Sequence, residues 1–139
     1  MLDPMQHVFL EQRSEKRSGI FITFAGNCKK ALTFYQACFG GVLHFEMLDK
    51  VIEGYNDIPV ISGVLISDRL VIYGSDLVQD GGRKIGNHIA VFLSCQDLID
   101  RKYLIQKLAL TAEKNTLIRD QDPLVEIKDP FDVNWILAV

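Results

Sequence analysis

The feature that most restricts how this chain can fold is an order of elements met twice in 139 residues: a strand, a helix, then three strands. In the first pass, Ile20 to Phe24 is β-rich and is stopped by Gly26-Asn27. Asn27 is placed to cap the helix that follows, its side-chain oxygen taking a free backbone N–H. Ala31, Leu32, Tyr35, Cys38 and Phe39 then recur at three- and four-residue spacing, which makes one apolar helix face. Gly40-Gly41 ends it. Val42 to Leu48 alternates, with Leu43, Phe45 and Met47 on one side and His44 and Glu46 on the other. After a polar loop near Asp49 to Asp57, Val60–Ile66 and Leu70–Ser75 flank Ser67-Asp68-Arg69 as a hairpin.

The second pass starts about 68 residues later. His88 to Leu93 reads as a strand. Leu98 to Leu108 reads as a helix with Leu98, Leu104, Ile105 and Leu108 as its apolar set and Ser94 or Asp97 as its cap. Thr111–Ile118, Leu124–Lys128 and Val133–Val139 read as three strands, the last two joined by Asp129-Pro130-Phe131-Asp132 with proline preset in the turn. One such unit has too little apolar surface to fold alone. Two can bury their helices on one side of the sheets and leave a concave face on the other, where a ligand would sit. The expectation is an α+β domain of two βαβββ modules whose curved, mostly antiparallel sheet surrounds an open cavity. It spans residues 19–139, with halves at about 19–78 and 86–139, preceded by an N-terminal arm, residues 1–18, whose Gln12 to Ser18 is mostly charged or small and polar and whose Phe9 and Leu10 could dock on the body or on a partner.

Composition narrows the partners. A net charge of -3 argues against nucleic acid as the main ligand, since phosphates favour a basic surface. No apolar run approaches the ~20 residues needed to span a bilayer, and the first residues lack the basic-then-apolar pattern of a secretory signal. A cytoplasmic location is expected. The three cysteines fit a reducing compartment, being odd in number and without a CxxC pair; Cys28 and Cys38 read as small core residues.

Several residues invite a functional reading. Tyr73, Phe92, Phe131 and Trp135 could line a pocket for an apolar or aromatic ligand, although strand aromatics are more often core. Trp135 stands out because its N–H needs a partner when buried. His88 reads as a general base or hydrogen-bonding group at a cavity wall, or as a structural histidine bonded to a carbonyl; the structural reading is favoured. His44 and Glu46 read as a cavity acid–base pair or as the solvent side of their strand. Glu126 and Lys128 share a strand face, and a cross-strand ion pair is their simplest account. Gly81-Gly82-Arg83-Lys84 precedes no helix directly, so a lid suits it better than a phosphate loop. No G-x-S-x-G and no dinucleotide fingerprint occurs.

Three stretches carry a resemblance. FITFAGNCKKALTFYQACFGG is similar to the opening strand and helix of PhnB-like proteins, GNHIAVFLSCQD to their second opening strand and acidic cap, and DPFDVNWIL to their closing D-x-F-G-V-N-W signature. The chain thus resembles, over residues 19 to 139, the PhnB-like branch of the vicinal-oxygen-chelate (glyoxalase/bleomycin-resistance/extradiol dioxygenase) superfamily. That resemblance implies paired βαβββ motifs around a cavity, commonly in a homodimer, and in the metalloenzyme members a divalent cation held by residues of the first and last strand of each half. Aligned through Phe34-Tyr35, those positions fall at Ile20, at Gly74 or Ser75, at His88, and at Ile136 or Leu137. One imidazole does not hold a divalent cation well without oxygen partners, so no metal is expected. The chain departs from the family twice more. Asp132 stands where glycine is usual, which implies a different turn. The segment between Ile118 and Leu124 is short and lacks the Trp-Gly stretch that helps close the cavity. Relatives sometimes carry a ubiquinone-methyltransferase name; no S-adenosylmethionine-type loop supports that activity here.

Three readings follow. The first is a homodimeric, metal-independent module binding a small apolar or aromatic molecule through Tyr73, His88, Phe92, Trp135 and Glu46. The second is a divergent isomerase, lyase or dioxygenase in which His88 works as the catalytic residue with relocated carboxylates such as Glu46, Asp76 or Glu126. The third is a closed cavity and a role in assembly through the arm.

Overall fold

The computed structural model describes residues 18–49, 58–77, 85–86, 88–109 and 119–139. Residues 1–17 of the expected arm, 50–57 of the loop expected near Asp49 to Asp57, the segment 81–84 and the strand expected at 111–118 lie outside these. The chain divides into two compact units, Met1–Lys84 and Ile85–Val139.

The first unit runs β1 (Ile20–Thr23), α1 (Cys28–Phe39), β2 (Val42–Met47), β3 (Val60–Ile66) and β4 (Val71–Ser75). The sheet order is β1-β4-β3-β2, with β1 parallel to β4 and the other pairs antiparallel. Helix α1 buries Ala31, Leu32, Tyr35 and Cys38 of the stripe its sequence spacing predicts, together with Cys28, while Phe39, the last of the expected stripe, is half-buried. Its end is set by Gly40 and Gly41, both at positive φ; a Cβ on Gly41 would collide with the carbonyl oxygen of Ile66.

The helix starts differently from expectation. Asn27 makes no side-chain cap hydrogen bond. The carboxylate of Asp76, just past β4, does that work: its Oδ1 accepts from the backbone N–H of Gly26 at 2.8 Å and of Cys28 at 2.9 Å. Its Oδ2 accepts from Val60 N–H at 2.9 Å. One buried carboxylate therefore ties the start of α1 to β3 and the end of β4.

The second unit runs β5 (Val91–Ser94), α2 (Leu98–Leu108), β6 (Leu124–Lys128) and β7 (Asn134–Ala138). Its sheet order is β5-β7-β6, with β5 parallel to β7 and β6 antiparallel to it. This matches the first unit, where the opening strand also lies parallel to the closing one and an antiparallel hairpin follows. Asp97 caps α2, accepting from Asp100 N–H at 2.8 Å, while Asp100 Oδ2 accepts from Gln96 N–H at 2.9 Å. Leu104 and Leu108 are buried as expected, whereas Leu98 and Ile105 are only half-buried. Arg101 is buried beside them, donating to the carbonyls of Asp122, Arg119 and Asp120.

The opening strand of this half is shorter than expected. It begins at Val91, and His88 occupies an exposed bend before it. The register explains this. Val91 pairs with Trp135, so a strand continued back to His88 would have to pair alongside the turn before β7, where Asp132 has φ of 69°. In that turn Asp129 Oδ1 accepts from Phe131 N–H at 2.8 Å and from Val133 N–H at 3.1 Å. Asp132 thus keeps the left-handed backbone that glycine favours, which aspartate tolerates better than most residues. Among the described residues, no helix is long and apolar enough to cross a membrane.

Candidate functional site

Each strand has two faces, and the register assigns every residue to one of them. In the first sheet, Ile22, Gly74, Gly63 and Phe45 form one continuous row. This is the side α1 covers. A Cβ on Gly63 would lie 2.8 Å from Leu32 Cδ1, and one on Gly74 would lie 3.0 Å from Cys28 Sγ. Two neighbouring glycines therefore let the helix sit close to the sheet.

The adjacent row, Phe21, Tyr73, Val64 and His44, points to the opposite side. One pleat further along, Thr23 pairs with Ser75 and Ser62 with Glu46 on that same side. Tyr73 and Glu46, both expected at a binding site, thus share the helix-free face, together with His44. Tyr73, His44 and Glu46 are half-buried and Val64 is buried. Phe21, 56% exposed, is an aromatic of this face that was not among the residues expected at a site. The alternation Ile20-Phe21-Ile22-Thr23 carried the signal, since it sets Phe21 and Thr23 on one side. In β2 the alternation does not become a wet and a dry face, because every residue from Leu43 to Met47 is half-buried.

In the second sheet the expected residues separate. Trp135 shares its row with Val91 and Ile127, and Phe92 shares the next with Ile136 and Glu126, so the two rings point to opposite faces. Trp135 is 0% exposed, with its Nε1–H donated to Asp129 Oδ2 at 2.8 Å. The indole N–H has the partner that burial requires, and the ring lies in the core with Leu137 and Leu93 on the same face. Phe131 is buried in the preceding turn. Phe92 is 62% exposed. It occupies in this half the place Phe21 has in the first: second residue of the opening strand, facing the closing strand. Lys128, expected in a cross-strand ion pair, lies 3.9 Å from Asp132 in the turn that follows its own strand.

The positions aligned with the family's cation ligands do not form a donor set. Ile20 sits on the α1 side of β1, as Gly74 does on β4. Ser75 and Ile136 point to the other side of their sheets, and Leu137 lies on the buried face of the second. Among the described residues, no three His, Cys, Asp or Glu side chains gather as a cation would require. Asp76, a candidate relocated carboxylate, has both oxygens engaged by backbone N–H groups. The described residues at the aligned positions do not fit a divalent cation. Beside Asp76 the Cys28 thiol is pushed up to about 12, first by burial and then by the neighbouring negative charge, which keeps it protonated and unreactive.

No protein-family model and no curated protein matches this chain. Solved structures do. A protein from Pseudomonas aeruginosa superposes with a TM-score of 0.66 at 20% identity, over 88% of this chain and 96% of that one. A PhnB protein from Bacillus cereus, named for a 3-demethylubiquinone-9 3-methyltransferase, gives 0.65 at 17% identity, over 88% and 98%. A glyoxylase/bleomycin resistance protein/dioxygenase domain from a Frankia species gives 0.49 at 15% identity, over 89% and 92%. The two structures above 0.6 fix the architecture: the chain has the fold of PhnB-like proteins.

Proposed function

We propose that this chain, built on the fold of PhnB-like proteins, binds a small apolar or aromatic molecule on the helix-free face of its first sheet and needs no metal to do so. The observation that carries this reading is the row Phe21, Tyr73, Val64 and His44 beside Glu46, on the sheet side that α1 leaves uncovered. Aromatic side chains standing upright from neighbouring strands offer a flat, rigid surface, and stacking on them adds about 0.5–1.5 kcal/mol beyond simple burial. The expected cation positions hold isoleucine, glycine or serine, histidine, and isoleucine or leucine, so polarising a substrate through a metal finds no support in the donor chemistry.

The enzymatic alternative asks His88 to act with Glu46, Asp76 or Glu126. His88 stands in an exposed bend outside β5, and Asp76 is committed to three backbone N–H groups. Binding without chemistry is the reading these positions favour. The methyltransferase name of the Bacillus cereus protein is not carried over, since likeness at that identity establishes fold alone.

Indole is a suitable probe, titrated calorimetrically into the wild-type chain and into Phe21→Ala and Tyr73→Ala. Binding to the wild type, weakened about tenfold in each variant, is the expected result. No heat of binding in the wild type, or unchanged affinity in both variants, would overturn the proposal. So would a stoichiometric divalent cation retained by the wild type through dialysis.

A further inference from the structure

The helix-free face is not uniform. Next to the row of Phe21, Tyr73, Val64 and His44 runs a second row in which every side chain carries oxygen: Thr23 and Ser75 on β1 and β4, Ser62 and Glu46 on β3 and β2. Three of these are neutral hydroxyls. Ser75 Oγ already accepts from Leu77 N–H at 3.0 Å and donates to Val60 O at 3.4 Å. Glu46 is the charged member. It is half-buried, and no ion pair with another described residue engages it. A carboxylate at the polar end of an aromatic surface selects for charge: it attracts a cation, repels an anion, and is nearly indifferent to a neutral molecule.

We propose that the molecule bound on this face is an arylalkylamine-type ligand, its aromatic body over Phe21 and Tyr73 and its ammonium group against the Glu46 carboxylate. Resting on the binding role proposed above, this names the ligand's charge and the residue that reads it. Two strand spacings across and one pleat along the strands separate Tyr73 from Glu46, roughly 12 Å in all. A ring resting on Tyr73, with a short alkyl arm directed toward β2, meets the glutamate side chain within that span. The other members of the row are uncharged, and Ser62 and Ser75 are buried, so none of them competes with Glu46 for the cation.

Three probes with the same ring separate the possibilities: tryptamine, indole and indole-3-acetate, each titrated calorimetrically into the full chain, wild type and Glu46→Gln. In the wild type, tryptamine should bind about tenfold tighter than indole, and indole-3-acetate more weakly than indole. In Glu46→Gln, the preference for tryptamine over indole should vanish, the two binding with equal affinity. Tryptamine binding no tighter than indole in the wild type overturns the charge assignment and leaves the binding face standing. A preference that survives Glu46→Gln overturns Glu46 as its source. If none of the three probes binds, the binding face and this inference fall together.

Discussion

Cys28 illustrates how a residue can look chemically useful and be structural. Its thiol is fully buried beside Asp76, and both burial and that carboxylate oppose a thiolate, lifting its pKa to about 12. In the unfolded chain the thiol titrates near its ordinary value of 9.0. Between pH 9 and 12 the unfolded state therefore releases a proton that the folded state keeps, so stability falls as pH rises through that window, by up to about 1.4 kcal/mol per pH unit. Below pH 9 the contribution is fully present. Urea unfolding followed from pH 8 to pH 11 should show a steeper alkaline loss in the wild type than in Cys28→Ala. Parallel curves for the two proteins would show that Cys28 is not the group responsible. The sequence was sufficient to place Cys28 and Cys38 in the core, because the helical spacing depends only on near neighbours. The role of Asn27 was misread, because the acceptor that replaces it comes from Asp76, 48 residues beyond Cys28.

Elements were legible where their signals are local. Helix α1 has an apolar stripe and a double-glycine stop, and the β3–β4 hairpin is closed by Ser67, whose hydroxyl accepts from Leu70 N–H at 3.1 Å and donates to Leu70 O at 2.7 Å. The start of β5 was not legible, because a strand extends only as far as its neighbour does, and the chain beside His88 turns at Asp132. Burial of Arg101 was equally hidden, since the carbonyls that receive it come from residues 119–122. Asp76 shows what such distant contacts contribute. Asp76→Asn replaces an acceptor oxygen with a donor facing a backbone N–H of β3 or of the α1 start. Hydrogen bonds to a charged group contribute roughly 1.5–3 kcal/mol each, so a loss of about 2–4 kcal/mol is expected in urea unfolding. A loss below about 0.5 kcal/mol would mean that the carboxylate is not the tie between α1, β3 and β4 described above.

At the scale of the molecule, duplication is visible in the pairing rather than in residue identity. Each half sets its opening strand parallel to its closing strand and adds an antiparallel neighbour. Phe21 with Tyr73 in one half corresponds to Phe92 with Ile136 in the other. The order of elements made this repetition readable from sequence. The faces were less readable: β3 and β4 are buried along most of their length, so their apolar runs do not announce which side the helix takes. The glycines at 63 and 74 do so, and only once the register is known.

The most direct test uses methyl-labelled protein titrated with indole and followed by carbon–proton correlation spectra. Val64 stands between Tyr73 and His44 on the helix-free side, whereas Leu32 projects from α1 against Gly63 on the other. The account predicts saturable shifts of the Val64 methyls with those of Leu32 left in place. Movement confined to Leu32 and its neighbours on α1, or a spectrum that indole does not alter, would contradict it.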